Sequence, residues 1–280
     1  MKKFFVSFLV LFLAVCFFAA GDDGIGLSVG LEFGIENANK ANDEELKPYL
    51  MPLLIYENSF LEDTLDLYAE LNYTFGFSKE PNDDSNEVFP QSVYLDLMIG
   101  YNLGLGSAST LSFILENEFD EIIISPKLDE SNALTGIFTP ALKFNQNLNF
   151  GDLFVQIDAP ITYVQYDKEA DTAVGLDFTV GWNSTFGLGI EAKILTSLVP
   201  GDNAGYSGLE AIISCQTGPI YFEVETIIPK EIGDEGITIT PQFDYSFRAF
   251  TFYANCEFSA IGLSGGNAII SPALGVKYSF

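Results

Sequence analysis

Carboxylates are the side chains of this sequence that could carry acid–base chemistry, and they lack the partners that such chemistry usually needs. The 280 residues include 39 Asp and Glu, 12 Lys and Arg and no histidine, for a formal charge of -27. The lack of histidine excludes Ser-His-Asp and Cys-His catalysis and histidine metal sites. Glu223 and Glu225 have a spacing that a paired-carboxylate mechanism could use. Acids two apart on a strand are, however, simply neighbours on one face. We therefore predict no catalytic residue, no enzyme activity, no metal site and no cofactor.

The composition nevertheless predicts a folded chain. Hydrophobic residues make up 48% of the sequence, and 26 residues are Phe. An acidic disordered chain would lack these aromatics. So many acids and so few bases also argue against a nucleic-acid partner, because phosphate contacts need Lys and Arg.

The N-terminal segment has the pattern of a secretory signal peptide. Two lysines precede an apolar run over residues 4–20, and small residues before Asp22 suit cleavage there. We predict residues 1–21 as a signal peptide and 22–280 as one β-domain. Two alternatives stay open: a retained membrane-anchor helix, and lipidation at Cys16.

Apolar residues recur at every second position from residue 24 onward, which is the period of strands with unlike faces. This pattern predicts an all-β chain with no helical stretch. We predict fourteen strands, with cores at residues 24–36, 48–57, 63–77, 91–103, 108–119, 134–146, 150–163, 174–186, 188–197, 207–215, 219–228, 236–247, 250–259 and 268–280. Twelve strands is the alternative, because 48–57 contains two prolines and the short strands within 188–228 could merge.

The predicted connectors alternate strictly between six short turns and seven longer polar segments. This alternation places all short turns, and both chain termini, at one end of an antiparallel meander. A meander of this size must close or cover its edges. A transmembrane barrel closes them, satisfies every backbone group without water, and carries aromatic girdles near both ends, as this sequence does.

The last strand carries the sharpest motif. Apolar residues alternate up to a terminal aromatic residue, at positions Leu274, Val276, Tyr278 and Phe280. In this motif and in its overall plan the chain resembles bacterial outer-membrane β-barrel proteins, and most closely small monomeric porins. The resemblance implies an up-and-down transmembrane barrel in the bacterial outer membrane with both termini in the periplasm. It also implies two partners: outer-membrane lipid, and the barrel-assembly machinery, which would read these four residues as a signal.

If the apolar face meets lipid, the opposite face lines the barrel interior. Fourteen acids fall on that face, namely Glu32, Asp66, Glu70, Asp96, Glu116, Glu118, Asp158, Asp177, Glu191, Glu210, Glu223, Glu225, Asp244 and Glu257. The inward bases are only Lys143, Lys193 and Lys277. Unpaired buried carboxylates are costly, so we expect a water-filled, electronegative lumen that concentrates cations.

The predicted function is therefore a channel for passive diffusion of small hydrophilic solutes, with a preference for cations. Three alternatives stay open. The acids could merely keep the interior hydrated, the 120–133 connector could plug the pore, or the protein could be a structural or surface-binding barrel without transport. The predicted lipid face also includes Cys215 and Cys256, on non-adjacent strands that should not form a disulfide, and Trp182 as a membrane anchor.

Overall fold

The computed structural model describes residues 26–38, 46–61, 64–78, 80–81, 87–125, 134–166, 169–198, 205–262 and 267–280. The predicted signal peptide, with its alternative lipidation site at Cys16, lies outside these residues. The strands are β1 (Leu27–Glu36), β2 (Lys47–Phe60), β3 (Leu65–Gly76), β4 (Glu80–Pro81), β5 (Glu87–Val88), β6 (Gln91–Gly104), β7 (Ser109–Ser125), β8 (Leu134–Leu148), β9 (Gly151–Asp158), β10 (Ile161–Tyr166), β11 (Glu169–Val174), β12 (Asp177–Ser184), β13 (Leu188–Ser197), β14 (Gly205–Thr217), β15 (Ile220–Pro229), β16 (Ile237–Phe247), β17 (Phe250–Ile261) and β18 (Ile269–Ser279).

These strands form one closed antiparallel barrel, apart from β4 and β5, which make a small separate hairpin. Consecutive strands pair around the sheet, and β1 pairs with β18 from Ser28 opposite Ser279 to Gly34 opposite Ala273. Strands β9 and β10 pair with successive parts of β8 and form one span, and β12 and β11 continue the next span in the same way. The barrel thus has 14 spans, which confirms the predicted all-β barrel and decides against twelve strands.

The two interrupted spans break where the backbone cannot continue a regular ladder. Pro160 has no N–H to donate, and it lies between β9 and β10. Its carbonyl instead accepts a 2.8 Å bond from Gly175 N, which lies in the matching break between β11 and β12. The break therefore runs across two neighbouring spans and leaves the barrel wall closed.

The structure differs from the sequence-based prediction at three connectors. Strands β10 and β11 occupy most of 165–173, which was predicted as a long loop, so the strict alternation of connectors is wrong there. Backbone pairing does not require apolar side chains, so β10 and β11 stay hydrogen-bonded to each other although their sequence is polar. Strand β7 includes 121–125, which settles whether that run extends a strand. A single helical turn, α1 (Ile232–Glu235), interrupts the predicted all-strand pattern.

None of the helical segments in the described chain has the length and apolarity needed to cross a membrane as a helix. The strands instead present alternating faces, as the sequence period predicts. In β1, Leu31 and Phe33 are 46% and 43% exposed, whereas Glu32 between them is 7% exposed. The exposed face is therefore apolar and the covered face is polar, the reverse of a water-soluble globular fold.

Aromatic side chains cluster on the outer face at the short-turn end. The Trp182 ring lies 6.3 Å from that of Phe150 and 6.2 Å from that of Phe186. The Tyr278 ring lies 4.9 Å from the rings of both Phe250 and Phe280. Such amphipathic or large rings are typical of the interface between hydrocarbon and water.

Two glycines on the inner face make room for tyrosine rings from neighbouring strands. A Cβ atom at Gly34 would lie 2.3 Å from the ring of Tyr49, and one at Gly275 would lie 2.2 Å from the ring of Tyr253. Neither position can accept a side chain without moving the ring. The rings cover strand backbone, in the manner of aromatic rescue of sheet glycines.

Candidate pore lumen

Register places all fourteen predicted acids on the inner face of the barrel, opposite the exposed apolar residues. They differ in their solvent exposure. Glu32, Asp96, Asp158 and Asp177 are buried, Glu257 is exposed, and the other nine are half-buried. The four buried acids are covered by neighbouring side chains, so they do not contact interior water as freely as the others.

Three of these acids form a continuous line across neighbouring strands, which we call the acidic row: Glu70, Asp96 and Glu118. Glu70 on β3 is directly opposite Asp96 on β6, and Asp96 is directly opposite Glu118 on β7. Directly opposed residues have Cβ atoms about 5 Å apart. Like charges at directly opposed positions repel each other. No lysine or arginine occupies a paired position within the row.

Hydrogen-bond donors stabilise one end of the acidic row. The Tyr68 hydroxyl donates to Glu70 Oε2, and Asn72 Nδ2 donates to Glu70 Oε1 at 2.7 Å. Asp96 Oδ1 and Asn72 Oδ1 are buried and have no protein partner. Acceptors in such positions are normally satisfied by bound water or an ion.

A second group of acids is neutralised by a fixed cation, and we call it the ion triad: Asp158, Asp177 and Lys193. Asp158 and Asp177 are directly opposite each other, next to the two strand breaks. Lys193 Nζ lies 3.8 Å from Asp158 Oδ2 and 3.9 Å from Asp177 Oδ2. Gln156 Nε2 donates to Asp158 Oδ1 at 2.6 Å, and Thr196 N donates to Asp177 Oδ1 at 2.9 Å. The triad is therefore both charge-paired and hydrogen-bonded.

The other two inward lysines lie over aromatic rings. Lys143 Nζ is 4.1 Å from the centre of the Phe154 ring, and Lys277 Nζ is 5.1 Å from that of Tyr253. These are cation–π distances. Among the described residues, neither lysine has a carboxylate within ion-pair distance. The inner face therefore keeps a large excess of negative charge.

Sequence reasoning missed the tyrosines that hold several inward acids. Tyr49 donates to Glu32 Oε1 at 2.8 Å, and the hydroxyl of Tyr221 donates to Glu223 Oε2. The signal was available, because Tyr68 and Tyr221 each stand two residues before an inward acid and therefore share its face. Tyr49 could not be found that way, since its partner is on another strand.

Two adjoining cavities open on the inner face near the short-turn end. One has a volume of about 490 Å³ and the other of about 390 Å³. Their common wall consists of Thr110, Lys143 and Asn145. Six of the fourteen other wall residues carry a hydroxyl or amide side chain, and only Asp66 and Asp152 carry a carboxylate, so this part of the interior is polar but less acidic than the acidic row.

The carboxylates and cysteines named in the sequence analysis can be placed on the barrel. Glu223 and Glu225 lie on one strand face, and the bond from Tyr221 holds the first of them. Within the described residues, no three acids or cysteines converge to hold a metal ion. Cys215 and Cys256 are free thiols on the outer face of β14 and β17.

No protein-family model and no curated protein sequence matches the chain. Among solved structures, it is similar to a triple mutant of the Rhodopseudomonas blastica porin, with 8% identity, 91% of this chain and 100% of that chain covered, and a TM-score of 0.42. It is also similar to the toluene transporter TodX of Pseudomonas putida, with 12% identity, 92% and 90% covered, and a TM-score of 0.49.

These likenesses are too distant to define a function, and the fold rests on the strand pairing described above. The molecule is a porin-like β-barrel of the outer-membrane type, with 14 spans, an apolar outer face and an acidic inner face.

Proposed function

We propose that this protein is a channel of the bacterial outer membrane through which small hydrophilic solutes diffuse passively, with a preference for cations. The observation that carries the proposal is the inner face of a closed barrel on which fourteen acids face three lysines. Lys193 of the ion triad pairs with two of these acids, Asp158 and Asp177.

The physical reason for cation preference is the excess of carboxylates over lysines on the inner face, of which the acidic row is the part with three acids side by side. Fixed carboxylates in a narrow space with low-dielectric walls raise the local concentration of cations and lower that of anions. Tyr68 and Asn72 hold Glu70 in place without cancelling its charge. The row therefore acts on any ion that passes it.

Planar-bilayer recording tests the channel. Purified, refolded protein should give stepwise current increases, and under a salt gradient the reversal potential should have the sign of a cation-selective pore. Protein that inserts into the bilayer but gives no steps would contradict the channel, and a reversal potential of the opposite sign would contradict the cation preference. Protein without conductance that still binds cells or a neighbouring protein would favour the structural or surface-binding alternative.

The cellular route is part of the same proposal. The protein would be exported through a cleaved signal peptide over 1–21, and its short-turn end would face the periplasm. Leu274, Val276 and Tyr278 lie on the outer face of β18, the strand that closes the barrel against β1, and Phe280 directly follows that strand. The assembly machinery would read these four residues. In this proposal the barrel takes no cofactor, and its partners are membrane lipid, that machinery and the permeating solutes.

A substitution at the last residue tests this signal. Phe280→Ser should reduce the amount of folded barrel in the outer membrane of an expressing cell, measured by the different migration of boiled and unboiled samples. Phe247→Ser, at another outward aromatic position of the short-turn end, is the control. Equal folded amounts of the two variants would argue against a specific signal at Phe280.

A further inference from the structure

We infer that the two adjoining cavities near the short-turn end form one saturable binding site for an uncharged, polyhydroxylated solute such as a sugar. The inference rests on the proposed channel and deepens it, because it gives the pore a solute class that binds on its way through. It rests on two observations: the hydrogen-bonding groups that the cavity walls offer, and the hydrogen bonds that already fix some of the wall side chains.

The site spans neighbouring strands of the barrel wall: β7, β8, β9 and β12 line the larger cavity, and β3, β6, β7 and β8 line the smaller one. Thr110, Asn145 and Phe154 are directly opposite one another across β7, β8 and β9. One row nearer the short turns, Asn147 and Asn183 are each directly opposite Asp152. Cavities of 490 and 390 Å³ lie within the size range of small-molecule sites. Their polar walls distinguish them from the mostly apolar pockets that bind apolar ligands.

The wall offers hydrogen-bonding groups that the protein itself does not use. Among the described residues, no hydrogen bond connects the side chains of Thr110, Asn145 or Asn147 to another residue. An amide provides two donors and an acceptor, and a hydroxyl provides one donor and two acceptor sites. A solute that both donates and accepts at many positions matches such a wall.

One side of the smaller cavity is already ordered. Ser112 Oγ donates to Asn102 Oδ1 at 2.6 Å, and Asn102 Nδ2 donates to Asp66 Oδ2 at 2.6 Å. Ser59 Oγ also donates to Asp66 Oδ1 at 2.6 Å. Groups held in place before binding lose less conformational freedom when a solute arrives.

The charges of the wall favour a neutral solute. Lys143 stands in the common wall, Asp66 borders one cavity and Asp152 the other. A hydroxyl can accept from the ammonium group and donate to either carboxylate. A free anion would meet two carboxylates against one ammonium group and is disfavoured, whereas a neutral polyol can form hydrogen bonds with all three charged groups.

Solute block of single-channel current tests the site. Maltose added to the wild-type channel should reduce the current in a concentration-dependent, saturable way, whereas citrate at equal concentration should not. Asn145→Leu keeps the approximate side-chain size and removes the amide donor and acceptor that would bond the solute. It should weaken the maltose effect at least tenfold. The matched control is Asn255→Leu, an inward amide on β17 outside both cavities, which should leave the effect within twofold of wild type.

A readout that does not depend on conductance separates the site from the channel. Saturation-transfer NMR on the refolded protein, in a detergent without a sugar headgroup, should show maltose binding to wild type and Asn255→Leu but not to Asn145→Leu. Binding in NMR without any channel current would overturn the channel and keep the site. Current that responds only in proportion to solution viscosity, with no NMR signal, would overturn the site and keep the channel. Stronger block by citrate than by maltose would also overturn the inference.

Discussion

The acidic row and the ion triad use the same carboxylate chemistry on the same inner face, and they deal with their charge in opposite ways. In the triad, Asp158 and Asp177 are 3% and 5% exposed and share one ammonium group. In the acidic row, Glu70 and Glu118 are half-buried, and no lysine or arginine shares their ladder positions. The triad therefore holds a fixed counter-charge at its ladder positions, whereas the acidic row places three acids side by side without one.

The largest expected effect is the loss of stability when Lys193, the fixed counter-charge of the ion triad, is removed. Lys193→Met should lower the free energy of unfolding by roughly 3–5 kcal/mol, because two buried carboxylates would lose their cation. Urea titration of the refolded barrel in lipid vesicles would measure it. Lys277→Met is the control, since that lysine lies over a ring and should cost only about 1 kcal/mol. Equal losses in the two variants would show that Lys193 has no special role.

Neutralising the acidic row should change transport rather than stability. The variant Glu70→Gln, Asp96→Asn, Glu118→Gln should reduce the ratio of cation to anion permeability by roughly threefold or more, since the local field that concentrates cations is removed. The reversal potential under a salt gradient measures this ratio.

The matched control for that variant neutralises the ion triad through Asp158→Asn, Asp177→Asn and Lys193→Met. It also replaces three charged groups, but it removes one net negative charge instead of three. Its selectivity should stay near wild type. If the triad variant changed selectivity as much as the acidic-row variant, the distinction between the two regions would be wrong.

Salt should reduce the contribution of the acidic row to cation selectivity in the wild-type channel. The Debye length shortens from about 10 Å at 0.1 M to about 3 Å at 1 M, so cation selectivity should fall over that range. Reversal potentials, recorded at a constant ratio of salt concentrations across the bilayer, would measure this fall in cation selectivity. The charge-paired triad should be much less sensitive, so the stability cost of Lys193→Met should persist at 1 M salt.

The smallest expected effect concerns a single donor. Tyr68→Phe removes the hydroxyl that bonds Glu70 and should cost roughly 1–2 kcal/mol of unfolding free energy, with the sign of the selectivity unchanged. Tyr221→Phe removes the corresponding donor to Glu223, and its loss of unfolding free energy should be compared with that of Tyr68→Phe. A loss as large as that of Lys193→Met would mean that Tyr68, and not the interior water, holds the acidic row together.

Most of the fold could be predicted, because period two is a local property. The alternation of Leu31, Glu32 and Phe33 already shows which face is polar. The second strand was predicted correctly although it is apolar on both faces and contains Pro48 and Pro52. The loop predicted over 165–173 was wrong because side-chain polarity indicates where a barrel leaves the hydrocarbon, and it does not indicate where backbone pairing stops.

The sequence by itself determined the class of molecule: closed strands, an apolar outside, an acidic inside and the lack of histidine chemistry. Only the tertiary structure decided which charges meet. Register across strands places Glu70, Asp96 and Glu118 in one row and brings Lys193 to two carboxylates from different spans. The physical reason is that alternation fixes the face of each side chain, while its neighbours depend on how strands slide past one another, which no single strand encodes.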